Sequence, residues 1–182
     1  MGKKIREAFA VWLTGIPSAG KSTLARGLAE KLREMNFKVE ILESDELRKL
    51  LTPNPRYTDD ERRYFYRSMA VIGKYLVDNG ICVIFDATAH KRSYREYARR
   101  LIKNFMEVYV YSPIDVCMER DVKGLYKRAL KGGIRTLPGL QVPYEEPLNP
   151  DVKVETHKES IVESLNKILE KVIERYCGEH WV

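Results

Sequence analysis

Short apolar runs alternate with amphipathic stretches along the whole chain. Ala8 to Thr14 is an unbroken apolar run of the kind a parallel strand shows when both its faces are covered, and Lys21 to Met35 then alternates apolar and charged residues at helical spacing. Val39 to Leu42 predicts a second strand, and the helical pattern that follows Ser44 and Asp45 runs through Leu51 until Pro53-Asn54-Pro55 breaks it. From Thr58 to Asp78 the apolar residues Phe65, Met69, Ile72 and Leu76 fall three or four apart, which predicts an amphipathic helix capped by Thr58 or Asp59 and ended by Asn79-Gly80. Ile81 to Asp86 predicts a third strand, with a helix from about Lys91 to Lys103; Met106 to Tyr111 predicts a fourth, with one helix from Ile114 to Lys131 after Pro113. Val152 to Glu155 can supply a fifth strand, and Ser160 to Tyr176 a closing helix with Ile161, Leu165, Ile168, Leu169 and Val172 on one face.

Strands alternating with helices imply an α/β fold: a parallel β-sheet of about five strands, joined by right-handed crossovers and covered by helices on both faces. Ligands of such sheets bind beyond the carboxyl ends of the strands. Between Gly132 and Pro150 the prolines and glycines rule out regular structure, and a loop of this length is usually functional, so a mobile lid over roughly 120–150 is expected. At 182 residues, one domain spanning 1–182 is the default.

Composition narrows the partners. No apolar stretch approaches the roughly 18 residues needed to cross a bilayer, and Met1 to Glu7 has no apolar leader core, so a cytoplasmic protein without a membrane partner is expected. Cys82, Cys117 and Cys177 are odd in number and far apart, suggesting single thiols rather than a disulfide framework or metal site. The net charge of +6 suits an anionic partner. It is concentrated between Arg120 and Arg135, where six cations meet only Asp121.

The strongest chemical signal is Gly15-Ile16-Pro17-Ser18-Ala19-Gly20-Lys21-Ser22, which fills every fixed position of G-x-x-x-x-G-K-[ST] between the first strand and its helix, with Thr23 following. Glycines let backbone N–H groups approach a polyphosphate, Lys21 supplies a point charge, and the Ser22 hydroxyl can hold Mg²⁺. ATP with Mg²⁺ is the implied ligand. Residues just after the other strands converge on the same rim. They include Asp45 and Asp86, either of which could accept the proton of an incoming hydroxyl or order a metal's waters, or could simply cap a helix or strand end. Arg48, Arg62 and Arg67 could grip an anionic acceptor or belong to a solvated helix face. Arg120 and Lys123 open the basic segment and could close over transferring phosphates. Tyr57, Tyr64, Phe65 and Tyr66 could stack on a base, although core packing is the commoner role.

The run from Phe105-Met106-Glu107-Val108-Tyr109-Val110 through Cys117-Met118-Glu119-Arg120-Asp121-Val122-Lys123-Gly124-Leu125-Tyr126-Lys127-Arg128-Ala129, with Gly133-Ile134 and Pro143-Tyr144-Glu145-Glu146-Pro147, resembles adenylylsulfate kinases. Together with the phosphate loop and the D-x-x-R of Asp45 and Arg48, the resemblance covers most of the chain in order. It implies a P-loop kinase that phosphorylates the 3′-hydroxyl of adenosine 5′-phosphosulfate. Asp45 would prepare that hydroxyl and, with Ser22, organise Mg²⁺. Arg48, Arg62 and Arg67 would lie near the acceptor, and Arg120 and Lys123 over ATP. The chain departs from the family pattern around the acceptor: Ala87-Thr88-Ala89 stands for Ile-Ser-Pro, Phe65 for an Asn, and Leu137-Pro138-Gly139 for Phe-Thr-Gly. This makes Phe65, Thr88 and Leu137 candidate acceptor residues.

Asp86-Ala87-Thr88 with Arg92 and Arg95 is instead similar to polynucleotide and seryl-tRNA kinases. The expectation is therefore an adenylylsulfate kinase of sulfate activation, working on a small nucleotide rather than nucleic acid, with a homodimer left open. The alternatives are a P-loop kinase with another hydroxyl acceptor, such as a metabolite or RNA end, and a nucleotide-binding regulator without turnover.

Overall fold

A computed structural model describes residues 7–177. The chain start read above as lacking a leader core, Met1 to Arg6, lies outside the described residues. Strands β1 (Ala10–Thr14), β2 (Val39–Glu43), β3 (Cys82–Asp86), β4 (Phe105–Tyr111) and β5 (Val152–Glu155) form one parallel sheet in the order β2-β3-β1-β4-β5. Ala10 is in register with Val83 on one side and Phe105 on the other, so β1 is central. Every residue of β1 and β3 is buried, which is why their sequences are apolar without alternation.

The helices are α1 (Lys21–Glu34), α2 (Ser44–Leu51), α3 (Asp59–Asp78), α4 (Arg92–Leu101), α5 (Ile114–Arg120), α6 (Leu125–Leu130) and α7 (Ile161–Tyr176). On one face of the sheet, Leu24, Leu28 and Leu32 of α1 and Ile168 and Val172 of α7 pack over Val11, Leu13, Val108 and Val110. On the other, Phe65, Tyr66 and Met69 of α3 and Tyr94 and Ala98 of α4 cover Trp12 and Phe85, whose rings stack at 4.4 Å. A Cβ at Gly73 would come within 2.2 Å of the Phe85 ring, so the missing side chain is what lets α3 lie this close. Among the described residues no helix is long and apolar enough to cross a membrane.

Three local expectations are corrected. The single helix expected from Ile114 to Lys131 is two, because Asp121 and Gly124 adopt left-handed φ values of 20° and 62°. The Asp121 carboxylate then accepts from the amides of Tyr126 (3.0 Å) and Lys127 (2.9 Å), starting α6 afresh. Ile161, expected on the buried face of α7, is 56% exposed, since it occupies the first turn behind the Ser160–Glu163 capping box. The aromatic group divides: Phe65 and Tyr66 are buried, whereas Tyr57 and Tyr64 are exposed. At the start of α3, Thr58 is the cap, accepting from the Glu61 amide.

The loop from Gly132 to Pro150 is irregular, as expected, and is tied down by polar contacts. Gln141 accepts from the Leu137 amide (3.0 Å) and donates to the Ile134 carbonyl (2.6 Å). Tyr144 Oη meets Thr14 Oγ1 at 2.9 Å. Arg95, 2% exposed, donates to Glu107 Oε1 (2.6 Å), to the Glu145 carbonyl (2.7 Å) and to the Ala89 carbonyl, joining α4, β4, the loop after β3 and the end of the long loop. Asp151 extends this network by accepting from Arg99 and Arg175. Replacing Arg95 by Ala would leave two carbonyls without this donor and a largely buried carboxylate with only the longer contact from Arg99, so denaturant unfolding should show a loss of about 3 kcal/mol.

Candidate active site

The site begins where β1 ends. A Cβ on Gly15 would lie 2.2 Å from the Val110 carbonyl oxygen, so only glycine lets the loop pass this close to β4. Ser18 (φ 63°) and Gly20 (φ 104°) take left-handed conformations that curl the loop, and α1 opens with no acidic residue in its first turn, leaving its N–H groups for an anion. Lys21 is buried, and its Nζ donates to the carbonyls of Gly15 (3.0 Å) and Ile16 (2.9 Å). Burial lowers its pKa, and the neighbouring carboxylates of Asp86 and then Asp45 oppose the shift without cancelling it.

A cleft of about 440 Å³ opens over this loop, and Pro17, Ser18, Gly20, Lys21, Ser22 and Thr23 form its floor. Glu43, Asp45 and Asp86 line one wall, and Arg120, Lys123 and Thr156 another. Asp45 is not a helix cap: Glu43 holds that position in α2, and Asp45 sits in the first turn, exposed at the cleft. Asp86 ends β3 almost fully buried. Lys123 Nζ donates to Asp45 Oδ2 at 2.6 Å and lies 3.5 Å from Glu43 Oε1. Partial burial pulls the Lys123 pKa down, but the hydrogen bond to Asp45 and the fields of Asp45, Glu43 and Asp86 outweigh it and leave the ammonium firmer than usual. Arg120 donates to Thr156 Oγ1 (3.0 Å) and to its carbonyl (2.8 Å), and Thr156 Oγ1 in turn donates to the Ala19 carbonyl (2.7 Å).

This donor set fits Mg²⁺. The Ser22 hydroxyl and the Asp45 carboxylate are hard oxygen ligands of the number Mg²⁺ usually takes from protein when phosphates supply the rest, and the Lys123 ammonium seated against Asp45 and Glu43 shows that the wall accepts a cation.

The acceptor candidates separate into two groups. Arg48 and Arg62 are both buried and flank the Tyr57 ring, with guanidinium carbons 5.1 and 5.2 Å from its centroid. Arg62 donates to the Tyr57 carbonyl (3.0 Å) and to the Thr136 carbonyl (2.8 Å), which holds the long loop against α3. It also lies 3.5 Å from His90 Nδ1. Burial, followed by the Arg62 and Lys91 charges, lowers the His90 pKa from 6.5 to about 4. Thr88 lines the cleft, its carbonyl accepting from Thr14 Oγ1 at 2.7 Å.

Three candidates lie elsewhere. Arg67, five positions after Arg62 and so about 140° around the helix, is exposed with its guanidinium over Tyr97. Phe65 is fully buried beneath Arg48, and Leu137 is buried in the core with Tyr126 and Ala129, so neither side chain presents a surface to a base here. Glu43, Thr156 and His90 were missed. Thr156 immediately follows β5, so the strand-end rule that singles out Asp45 and Asp86 also points to it.

A profile of the adenylylsulphate kinase family matches residues 7–155. The chain belongs to the adenylylsulfate kinase family. A probable adenylyl-sulfate kinase of Pyrococcus abyssi is 45% identical over 168 residues, 92% of this chain and 97% of the relative. The adenylyl-sulfate kinase of Gloeothece citriformis is 43% identical over 162 residues, 89% of this chain and 92% of the relative. The solved Mycobacterium tuberculosis APS kinase in complex with AMPPNP and APS matches with a TM-score of 0.86 at 30% identity, over 91% of this chain and 98% of that one. The parallel α/β sheet expected from the strand pattern, and the P-loop kinase fold implied by the phosphate loop and the resemblance, are therefore observed, and the chain is an ATP-dependent kinase that uses Mg²⁺.

Two outcomes follow from the geometry. Thr156→Val removes the hydroxyl shared by Arg120 and the phosphate loop, and calorimetric titration with a non-hydrolysable ATP analogue should show about tenfold weaker binding. His90 has a folded pKa below its unfolded one, so its contribution to stability is full above pH 6.5 and is lost as pH falls toward about 4. Urea midpoints should fall across that window, and less steeply in His90→Gln.

Proposed function

We propose that this chain transfers the γ-phosphoryl group of Mg-ATP to the 3′-hydroxyl of adenosine 5′-phosphosulfate, forming 3′-phosphoadenylylsulfate in the cytoplasm as one P-loop kinase domain. The observation that carries this reading is the placement of α2. Asp45 and Arg48 are three positions apart, one turn of the same helix, with Asp45 on the donor cleft and Arg48 beside Arg62 and Tyr57. One rigid element thus joins the phosphate-transfer point to a pair of buried cations suited to an acceptor's phosphosulfate.

The roles follow from position. Backbone N–H groups of the loop from Gly15 to Thr23, Pro17 excepted because it has none, and the Lys21 ammonium cradle the β- and γ-phosphates of ATP. Arg120 and Lys123 line the same cleft and offset charge as the phosphoryl group moves. Asp45 accepts the proton of the incoming hydroxyl, releasing Lys123 to the phosphates as it does so. Ser22 and Asp45 would hold Mg²⁺, which supplies Lewis-acid stabilisation of the phosphoryl oxygens. Asp86 opposes the fall in the Lys21 pKa that burial causes. Arg48 and Arg62 take the acceptor's anionic groups, and Thr88 borders its ribose side. Arg67, Phe65 and Leu137 make no direct contact in this assignment.

The likeness of Asp86-Ala87-Thr88, Arg92 and Arg95 to kinases of RNA ends does not create an open anion site. Arg95 is buried on Glu107, and Arg92 donates to the Glu146 carbonyl (3.1 Å) with Glu145 3.9 Å away. A homodimer, left open by the sequence, would be detected by sedimentation.

Incubation with Mg-ATP and a panel of hydroxyl acceptors should consume adenylylsulfate; transfer only to another acceptor, or none, would sink the assignment. Asp45→Asn should lower kcat by at least about 100-fold, the scale of general-base loss, while ATP affinity measured by titration changes little.

A further inference from the structure

Arg48 is held by rings rather than by hydrogen bonds to its charged head. Its guanidinium carbon lies 3.8 Å from the centroid of Phe65, 5.1 Å from Tyr57 and 5.9 Å from Tyr66. Its Nη1 is buried and makes no hydrogen bond. The nearest carboxylate, Glu61, stays 3.8 Å away, because its oxygens already accept from the amides of Arg56 (2.7 Å) and Tyr57 (3.2 Å). Arg62 is held differently, Nε donating to the Tyr57 carbonyl and Nη2 to the Thr136 carbonyl, with Nη1 3.5 Å from His90 Nδ1. A buried N–H without an acceptor is unfavourable unless something else fixes the group or a ligand completes it.

We infer that Phe65 is a positioning residue for acceptor binding: its ring is the platform that sets the plane of the Arg48 guanidinium and leaves Nη1 open to an oxyanion of the acceptor. Phe65 is fully buried and touches no substrate, so it acts through Arg48. A flat guanidinium stacks on a ring face with its donors pointing outward in that plane. An amide side chain at this position would accept from Nη1 and compete with the ligand; a phenyl ring orients the group without occupying its donor. Tyr57 completes the arrangement, its left-handed backbone (φ 57°) placing the ring between Arg48 and Arg62.

This inference rests on the adenylylsulfate reading, and two measurements keep the two apart. In steady-state assays Phe65→Leu should raise KM for adenylylsulfate about fivefold, the lower end of what a guanidinium–ring contact contributes since leucine still packs there, with kcat and KM for ATP within about twofold of wild type. The increase should vanish when Phe65→Leu is introduced into an Arg48→Ala background, whereas general loosening of the core would persist there. Arg48→Lys, which keeps the charge and loses the plane, should show a KM increase of similar size without disturbing the core. An unchanged KM in folded Phe65→Leu, or an undiminished effect in the Arg48→Ala background, overturns the inference. Independently of turnover, sodium sulfate is titrated while arginine Nε–H signals are followed by NMR. Wild type should show a saturable shift at Arg48 that weakens in Phe65→Leu. No sulfate shift in wild type, or an equal one in the variant, also overturns it, while failure of wild type to phosphorylate adenylylsulfate with the sulfate result intact overturns only the assigned acceptor.

Discussion

The donor half of the molecule depends on the seam where the loop after β1 crosses the end of β4. Because Gly15 has no side chain, the backbone can pass against Val110, and the loop that results is short enough for Lys21 to fold back onto the carbonyls of Gly15 and Ile16. A buried ammonium is costly to desolvate. Here two carbonyls accept from the ammonium, and the nearby Asp86 and Asp45 offset part of that cost. Thr156, at the end of β5, fastens to Ala19 on the same loop and carries Arg120 with it. The end of β5 therefore brings the loop and its second cation together through the Thr156 hydroxyl and carbonyl.

The acceptor half is built on different physics. Three buried arginines, Arg48, Arg62 and Arg95, do unlike work because their partners differ. Arg95 is satisfied by a carboxylate and two carbonyls and serves as a structural clamp. Arg62 is divided between α3 and Thr136, so it senses the position of the long loop. Arg48 is stacked on rings and keeps a donor free. Buried charge is unfavourable unless paired, and the one incompletely paired guanidinium is the one on the same helix as Asp45.

Lys123 connects the halves. Its ammonium rests on Asp45 and Glu43, neutralising the acid proposed to receive the hydroxyl proton. The left-handed break at Asp121 and Gly124 separates α5 from α6, and Lys123 lies in the turn between them.

Sequence alone determined the strands, most helices, the phosphate loop and the D-x-x-R pair, because each is written in local periodicity or in a fixed spacing that backbone chemistry demands. Helical arithmetic also separates Arg67 from Arg62, although their shared residue type draws attention to both. Only the tertiary structure decided that Phe65 is buried beneath Arg48, that Leu137 belongs to the core, that Arg95 is consumed by Glu107, and that Thr156 reaches Ala19. Those outcomes turn on contacts between residues far apart in the chain. A side chain's partner there is set by how elements are rotated and stacked, and no local pattern records that.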